Sequence, residues 1–302
     1  MKQRLMVWYG ELTTRQGLMR RGFGLLVPGV LWLMLFLVVP GLVLVAVSFV
    51  TRGAYGQIEW SFTLENYKRL MGFSVFGWTT DYLLILWRSV VVAFFTTLIS
   101  VILSYPLCFF IAARKERSRY MWLTLVIIPF WTNMVIRTYA WFLILAPGLP
   151  FAEIAAALGL IAEGAPLYPN AFAVYVGMVS MFLPFVTLPL YASVEKLDWS
   201  LVEAAQDLHA SRLRVFMQAI FPQTLPGLSV GVILTFVPAM GMFVVPDLLG
   251  GAKYMLVGNL IQQQFGASRD WPFGAAISMG LMVLTMVSLQ IYRRRSKEIA
   301  HI

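Results

Sequence analysis

With 302 residues, 60% of them hydrophobic and only 12% charged, and a mean hydropathy of +0.78, the chain is too apolar for a soluble domain, which would be roughly a quarter charged. The formal charge of +9 would suit a nucleic-acid binder, but the basic residues sit in short segments between apolar runs, where they orient a membrane protein. The one cysteine, Cys108, lies inside an apolar run, so an intrachain disulfide is excluded and the thiol reads as packing.

Residues 1–22 carry Lys2, Arg4, Arg15, Arg20 and Arg21 against one acid, Glu11. The apolar run that follows, 25–50, is too long for a signal-peptide core and reads as a retained first span, interrupted by Pro40-Gly41. Residues 51–86 form an aromatic-rich external segment with FTLENYKRL at 62–70. The second span is expected at 89–113, a basic loop ARKERSRY at 113–120, and the third span at 121–145. Residues 147–171 hold Glu153 and Glu163 and no basic residue. The fourth span (172–192) leads into a polar stretch, 193–222, and the fifth is expected at 228–245. An external run, PDLLGGAKYMLVGNLIQQQFGASRDW (246–271), precedes the sixth span at 273–292, and Arg293-Arg294-Arg295 with Lys297 follow it. Each run has the length a helix needs to cross about 30 Å of hydrocarbon.

This predicts an all-α membrane protein of six transmembrane helices (23–292) between a tail at 1–22 and a basic tail at 293–302. Sixteen of the 23 Lys and Arg fall in the two tails, the 113–120 loop and the 193–222 stretch. The positive-inside rule then places both termini and the 193–222 loop in the cytoplasm. Prolines at 40, 106, 129, 184, 189 and 238, inside or at the ends of spans, favour a bundle that moves.

The polar stretch SVEKLDWSLVEAAQDLHASRLRVFMQAIFP (193–222) is too regular for an ordinary loop. Ser200-Leu201-Val202-Glu203 has capping-box form, and Leu201, Ala204, Ala205 and Leu208 follow at i, i+3, i+4 and i+7. Ser211 is placed to cap a second short helix, 212–221, that Pro222 would end. Two amphipathic helices with no soluble domain to pack on point to a partner chain.

Glu203-Ala204-Ala205, with Ala210-Ser211 and Pro222 at the matching spacing, resembles the EAA loop of ABC-transporter permeases of the importer type. The departures are His209 in the glycine position, Ala219 for isoleucine and Phe221 for leucine. Histidine tolerates the left-handed turn less well than glycine, at a cost of roughly 1 kcal/mol. The runs at 246–276, PFWTN-x-x-IRTYAW (129–141), FTLENY (62–67) and SYPL (104–107) are similar to the spermidine/putrescine permeases of that family. The resemblance implies a type I importer permease fold in a bacterial inner membrane and a second, related permease subunit. It implies a cytoplasmic ATPase dimer holding ATP and magnesium, and a binding protein outside. It also implies that Glu203, Ala204, Ala205, Leu208 and His209 meet the ATPase: the alanines admit a close backbone, and Glu203 pairs with a base or serves only as the box acceptor.

The residues themselves offer no catalysis and no cofactor. His209 and His301 lack a second ligand at metal spacing, and no G-x-x-x-x-G-K-[ST] loop occurs. Arg137 is the one charge well inside a span, a functional candidate by default. It reads as paired with a backbone carbonyl or an acid of the partner permease, or as snorkelling to the interface. The aromatics near the outer ends suit an interfacial belt, and Trp131, Tyr139 and Asp247 form a candidate cation pathway. An importer of another small organic solute remains open. An ion-coupled secondary transporter would want acids within spans, and none of the fourteen lies mid-span.

Overall fold

The structure, a computed structural model, describes residues 25–74, 77–251 and 254–300. The tail expected at 1–22, together with Lys253 and His301, lies outside the described residues. Among the described residues five helices are long and apolar enough to cross a membrane, or six if a bent pair counts as one span. They are α1 (Leu25–Ser48), α3 (Asp81–Ala112), α7 (Ala171–Val194), α9 (Arg212–Met240) and α12, whose apolar part is Trp271–Tyr292 and which continues helical to Ala300. The bent pair is α4 (Glu116–Trp131) with α5 (Met134–Ile144). Shorter helices are α2 (Glu65–Leu70), α6 (Pro150–Ala157), α8 (Trp199–Asp207), α10 (Val244–Gly250) and α11 (Val257–Phe265).

Three helices, α3, α7 and α9, make the centre of the bundle because small side chains let their backbones approach. On α3 the positions Thr96, Ser100, Ser104 and Cys108 recur every four residues and are all buried, the small-residue spacing that membrane helices use for close contact. SYPL lies on this stripe. Ser104 Oγ meets Thr187 Oγ1 at 2.9 Å, the Cys108 thiol points at the Thr187 carbonyl at 3.4 Å, and Tyr105 Oη meets Thr224 Oγ1 at 2.9 Å. One short motif thus docks α3 on both α7 and α9. Gly227 and Gly231 do the same between α9 and α7: a Cβ at Gly227 would run into the Pro189 carbonyl, and one at Gly231 would lie 3.0 Å from Val186 Cα.

Two expectations about continuity are corrected. Pro222 does not end a short helix; α9 runs from Arg212 through it to Met240. The turn Phe216–Ile220, just before the proline, is wound as a π-helix, with the Phe221 N–H reaching the Phe216 carbonyl. Proline lacks the N–H and crowds the preceding turn, and one i→i+5 turn relieves both. The same device precedes Pro40, where Met34–Val38 is π-helical and α1 continues. The third span, expected straight over 121–145, is broken instead: α4 and α5 meet at 97°. Thr132 and Asn133 are extended there, and Asn133 Oδ1 accepts from the Val135 N–H at 2.8 Å as the N-cap of α5. Arg137 therefore sits in the first turns of a separate helix rather than midway along a span.

The segment expected outside the membrane, 51–86, is shorter than expected, because α3 starts at Asp81, and it is not wholly helical. Strands β1 (Val50–Arg52) and β2 (Ile58–Phe62) pair antiparallel, as do β3 (Phe73–Ser74) and β4 (Gly77–Trp78). FTLENY anchors this segment to the end of α1. Asn66 Nδ2 donates to the Ser48 and Val50 carbonyls at 3.1 and 2.8 Å, Tyr67 Oη meets Ser48 Oγ at 2.7 Å, and the Thr63 N–H reaches the Phe49 carbonyl at 2.7 Å.

Candidate functional sites

The loop between α7 and α9 is built as the sequence suggests, with a different cap. Asp198 is the N-cap of α8: its Oδ1 accepts from the Ser200 N–H at 3.0 Å and from the Ser200 hydroxyl at 2.7 Å. Ser200 lies inside the first turn, so the expected Ser200/Glu203 capping box is not formed. A carboxylate two residues before a serine outcompetes it as the acceptor for free N–H groups at a helix start. Glu203 is left exposed, with no hydrogen bond or ion pair among the described residues.

His209 takes the left-handed conformation, φ +57°, that the glycine position demands. The Ala210 N–H closes on the Ala205 carbonyl at 3.1 Å and the His209 N–H on the Gln206 carbonyl at 2.8 Å. This is a Schellman termination with histidine at C′, and Ala205 and Ala210 both pack against the small apolar cluster of Val202, Val215 and Ala219. Val202, Val215 and Ala219 form the inner face of the loop. The outer face carries Leu201, 51% exposed, and Leu208, 83% exposed, beside Ala204 and Glu203. Gln223 holds α8 to α9, accepting from the Asp198 N–H at 2.9 Å and donating to the Ala219 carbonyl at 2.7 Å. At the foot of α7, Arg119 Nη1 pairs with Glu195 Oε1 at 2.9 Å. The result is an exposed apolar ridge flanked by two carboxylates, Glu203 and Asp207, that have no bonding partner among the described residues, braced against two spans.

The three candidate pathway residues are not gathered into one site. Trp131, 84% exposed, ends α4 at the bend. Tyr139 is half-exposed on α5, and Asp247 is exposed in the first turn of α10. Helices α10 and α5 pack together, which makes Tyr139 and Asp247 neighbours by element. Among the described residues no hydrogen bond, ion pair or ring contact joins the three. Arg137 falls on the inward stripe of α5 with Met134, Thr138 and Trp141. Its Nε and Nη1 are buried and have no acceptor among the described residues, so no backbone carbonyl pairs with these two atoms there.

A further polar cluster at the opposite end of the bundle from α8 was not legible as a site. Asp270, 3% exposed, precedes α12 and its Oδ1 accepts from the Phe273 N–H at 3.2 Å. Its Oδ2 receives Arg69 Nη1 at 2.8 Å, with Arg52 Nη1 at 3.9 Å. The Arg69 guanidinium lies 3.9 Å from the Phe273 ring centroid. Burial disfavours its charge, but hydrogen bonds to Tyr82 and Asp270 outweigh that and raise its pKa. The available signal was an aspartate ahead of a proline-containing first turn, Asp270-Trp271-Pro272, an N-cap pattern.

Residues 104–299 match the family described as binding-protein-dependent transport system inner membrane component. Across 266 residues the chain is 41% identical to the spermidine/putrescine transport system permease protein PotB of Escherichia coli K12, covering 88% of this chain and 94% of that one. The chain belongs to this permease family. PotB of Haemophilus influenzae is 39% identical over 88% of this chain and 91% of its own. The inner membrane ABC transporter permease protein YdcU of E. coli K12 is 28% identical over 70% of this chain and 71% of its own. In fold, the permease aligns with a chain of a bacterial alginate ABC transporter, solved with an alginate pentasaccharide-bound periplasmic protein, at a TM-score of 0.69 and 15% identity, covering 92% of this chain and 94% of that one. This is the type I importer permease architecture, and the family's binding-protein-dependent description sets aside the ion-coupled alternative.

Proposed function

We propose that this permease is the membrane-spanning subunit of an ATP-driven polyamine importer, carrying putrescine or spermidine and contributing half of the pathway. The observation that carries the reading is the joint one: 41% identity to PotB over 88% of the chain, with an unpartnered α8 ridge bearing Glu203. ATP and magnesium belong to a separate cytoplasmic ATPase dimer, which receives Leu201, Glu203, Ala204, Ala205 and Leu208 at the Schellman turn of His209. A second related permease completes the pathway and a binding protein delivers the solute from outside. Both termini and the α8 loop face the cytoplasm of a bacterial inner membrane, as the placement of sixteen of the 23 basic residues supports. Of the pathway candidates, Asp247 and Tyr139, on packed helices, are the pair that offers a carboxylate and a ring to an ammonium.

The test is uptake of labelled putrescine and spermidine by cells lacking the gene, with and without the gene restored. Uptake that returns with the gene supports the assignment. If neither polyamine depends on it, the substrate is another solute.

A further inference from the structure

Helix α4 has no buried residue, so packing alone fixes its position weakly. Trp122, Leu123 and Val126 rest half-buried against the cluster around Ile111 and Leu197. Arg119, in the first turn of α4, adds a polar fastening. Its Nη1 donates to Glu195 Oε1 at 2.9 Å and its Nη2 to the Ala112 carbonyl at 3.0 Å. Glu195 Oε1 also accepts from the Tyr191 hydroxyl at 3.1 Å. One guanidinium thus joins the start of α4 to the last residue of α3 and the end of α7, where free carbonyls favour a cation. Two acceptors on one planar guanidinium fix orientation as well as distance.

Both ends of α4 stand at places that matter. Glu195 is the C-cap of α7 and lies four residues before Trp199, where α8 begins. The connection is short and anchored: Leu197 is buried and Gln223 holds the Asp198 N–H. A displacement of α8 therefore reaches Glu195 with little slack. Helix α4 then runs 16 residues, about 24 Å, to Thr132 and Asn133, which are extended where the chain turns 97° into α5. Extended residues between two stiff helices are a hinge. Beyond it, α5 carries Arg137 and Tyr139 and packs on α10, which carries Asp247. We propose that Arg119 is a positioning residue: through Glu195 it passes displacement of the α8 loop into α4, which acts as a lever that resets the bend at Thr132-Asn133 and with it the α5–α10 face. A partly exposed ion pair adds little to stability, so the value of this one lies in the link it makes. The inference rests on the proposed coupling of α8 to an ATPase and assigns the route by which that movement reaches α5.

The test uses the full transporter, the permease with its partner subunits and binding protein, in proteoliposomes. A fluorophore on Ile136→Cys, at an exposed position of α5, reports the bend; the chain's other thiol, Cys108, is buried. In the otherwise wild-type chain its emission should shift when a non-hydrolysable ATP analogue closes the ATPase, with no solute present. Arg119→Ala and Glu195→Gln should each lose most of that shift. Each should also lower the solute imported per ATP hydrolysed by about fivefold, at unchanged assembly and melting temperature. The double variant should lose no more than Arg119→Ala alone, since both changes cut one link. Arg119→Lys, which reaches one acceptor but not both, should fall between. A full shift in Arg119→Ala, losses that add in the double variant, or an Arg119→Ala chain that fails to assemble would each overturn the proposal. Polyamine import without any shift at Ile136 would overturn it and leave the proposed function intact. A shift without polyamine import would do the reverse.

Discussion

Arg69 and Asp270, 201 positions apart, are joined by a 2.8 Å hydrogen bond that ties the short helix α2 to the first turn of α12. The carboxylate is nearly inaccessible and does double duty, capping α12 through the Phe273 N–H and receiving Arg69, with Arg52 at longer range. The contact brings FTLENYKRL and RDWPF, distant in sequence, together in space.

Arg69→Ala and Asp270→Asn should each destabilise the solubilised protein by about 1–2 kcal/mol, the arginine's partial exposure keeping the loss below that of a fully buried pair. In a double-mutant cycle the two losses should fall short of additive, because both remove the same contact. Additive losses measured by thermal melting would show that the pair does not couple.

Arg137→Met should stabilise the isolated chain, by about 1 kcal/mol, because it removes a guanidinium whose buried Nε and Nη1 have no acceptor among the described residues. Thermal melting of chain and assembled complex separately is informative here. A loss in the complex alone would place the missing acceptor on another subunit.

His209→Gly should tighten the turn after α8 by roughly 1 kcal/mol, since glycine adopts φ +57° without the Cβ clash that histidine bears. His209→Val, whose branched Cβ fits that region poorly, should loosen it by more. Hydrogen exchange at residues 208–211 reads both, and equal protection in all three proteins would remove the strain argument.

Glu203→Ala should leave the chain folded and inserted, because Glu203 makes no bond among the described residues. If the α8 ridge transmits ATPase closure, uptake should fall at least about tenfold at unchanged protein level. Normal uptake would refute the coupling role.

Asp247→Asn should raise the KM for polyamine uptake by about fivefold, as expected for losing one partly exposed charge pair, without altering assembly. Kinetics identical to wild type would take Asp247 out of the pathway.

The order of the spans, the ends of the first, fourth and sixth, and the amphipathic loop at 193–222 were legible in the sequence alone, because apolar length and basic flanks are local properties. The left-handed turn at His209 was also legible, as its position in the EAA spacing required it. Tertiary structure decided what depends on neighbours. Whether Pro222 stops a helix turns on whether a π-turn can be packed there, and here α9 continues through it to pack closely on α7 at Gly227 and Gly231. The bend at Thr132-Asn133 and the choice of Asp198 over Ser200 as cap are competitions between acceptors a few residues apart, in which geometry selects one. The Arg69–Asp270 bond joins segments that meet only after the bundle has formed. No periodicity or spacing carries a contact of that range, because it arises from the arrangement of helices and not from any one of them.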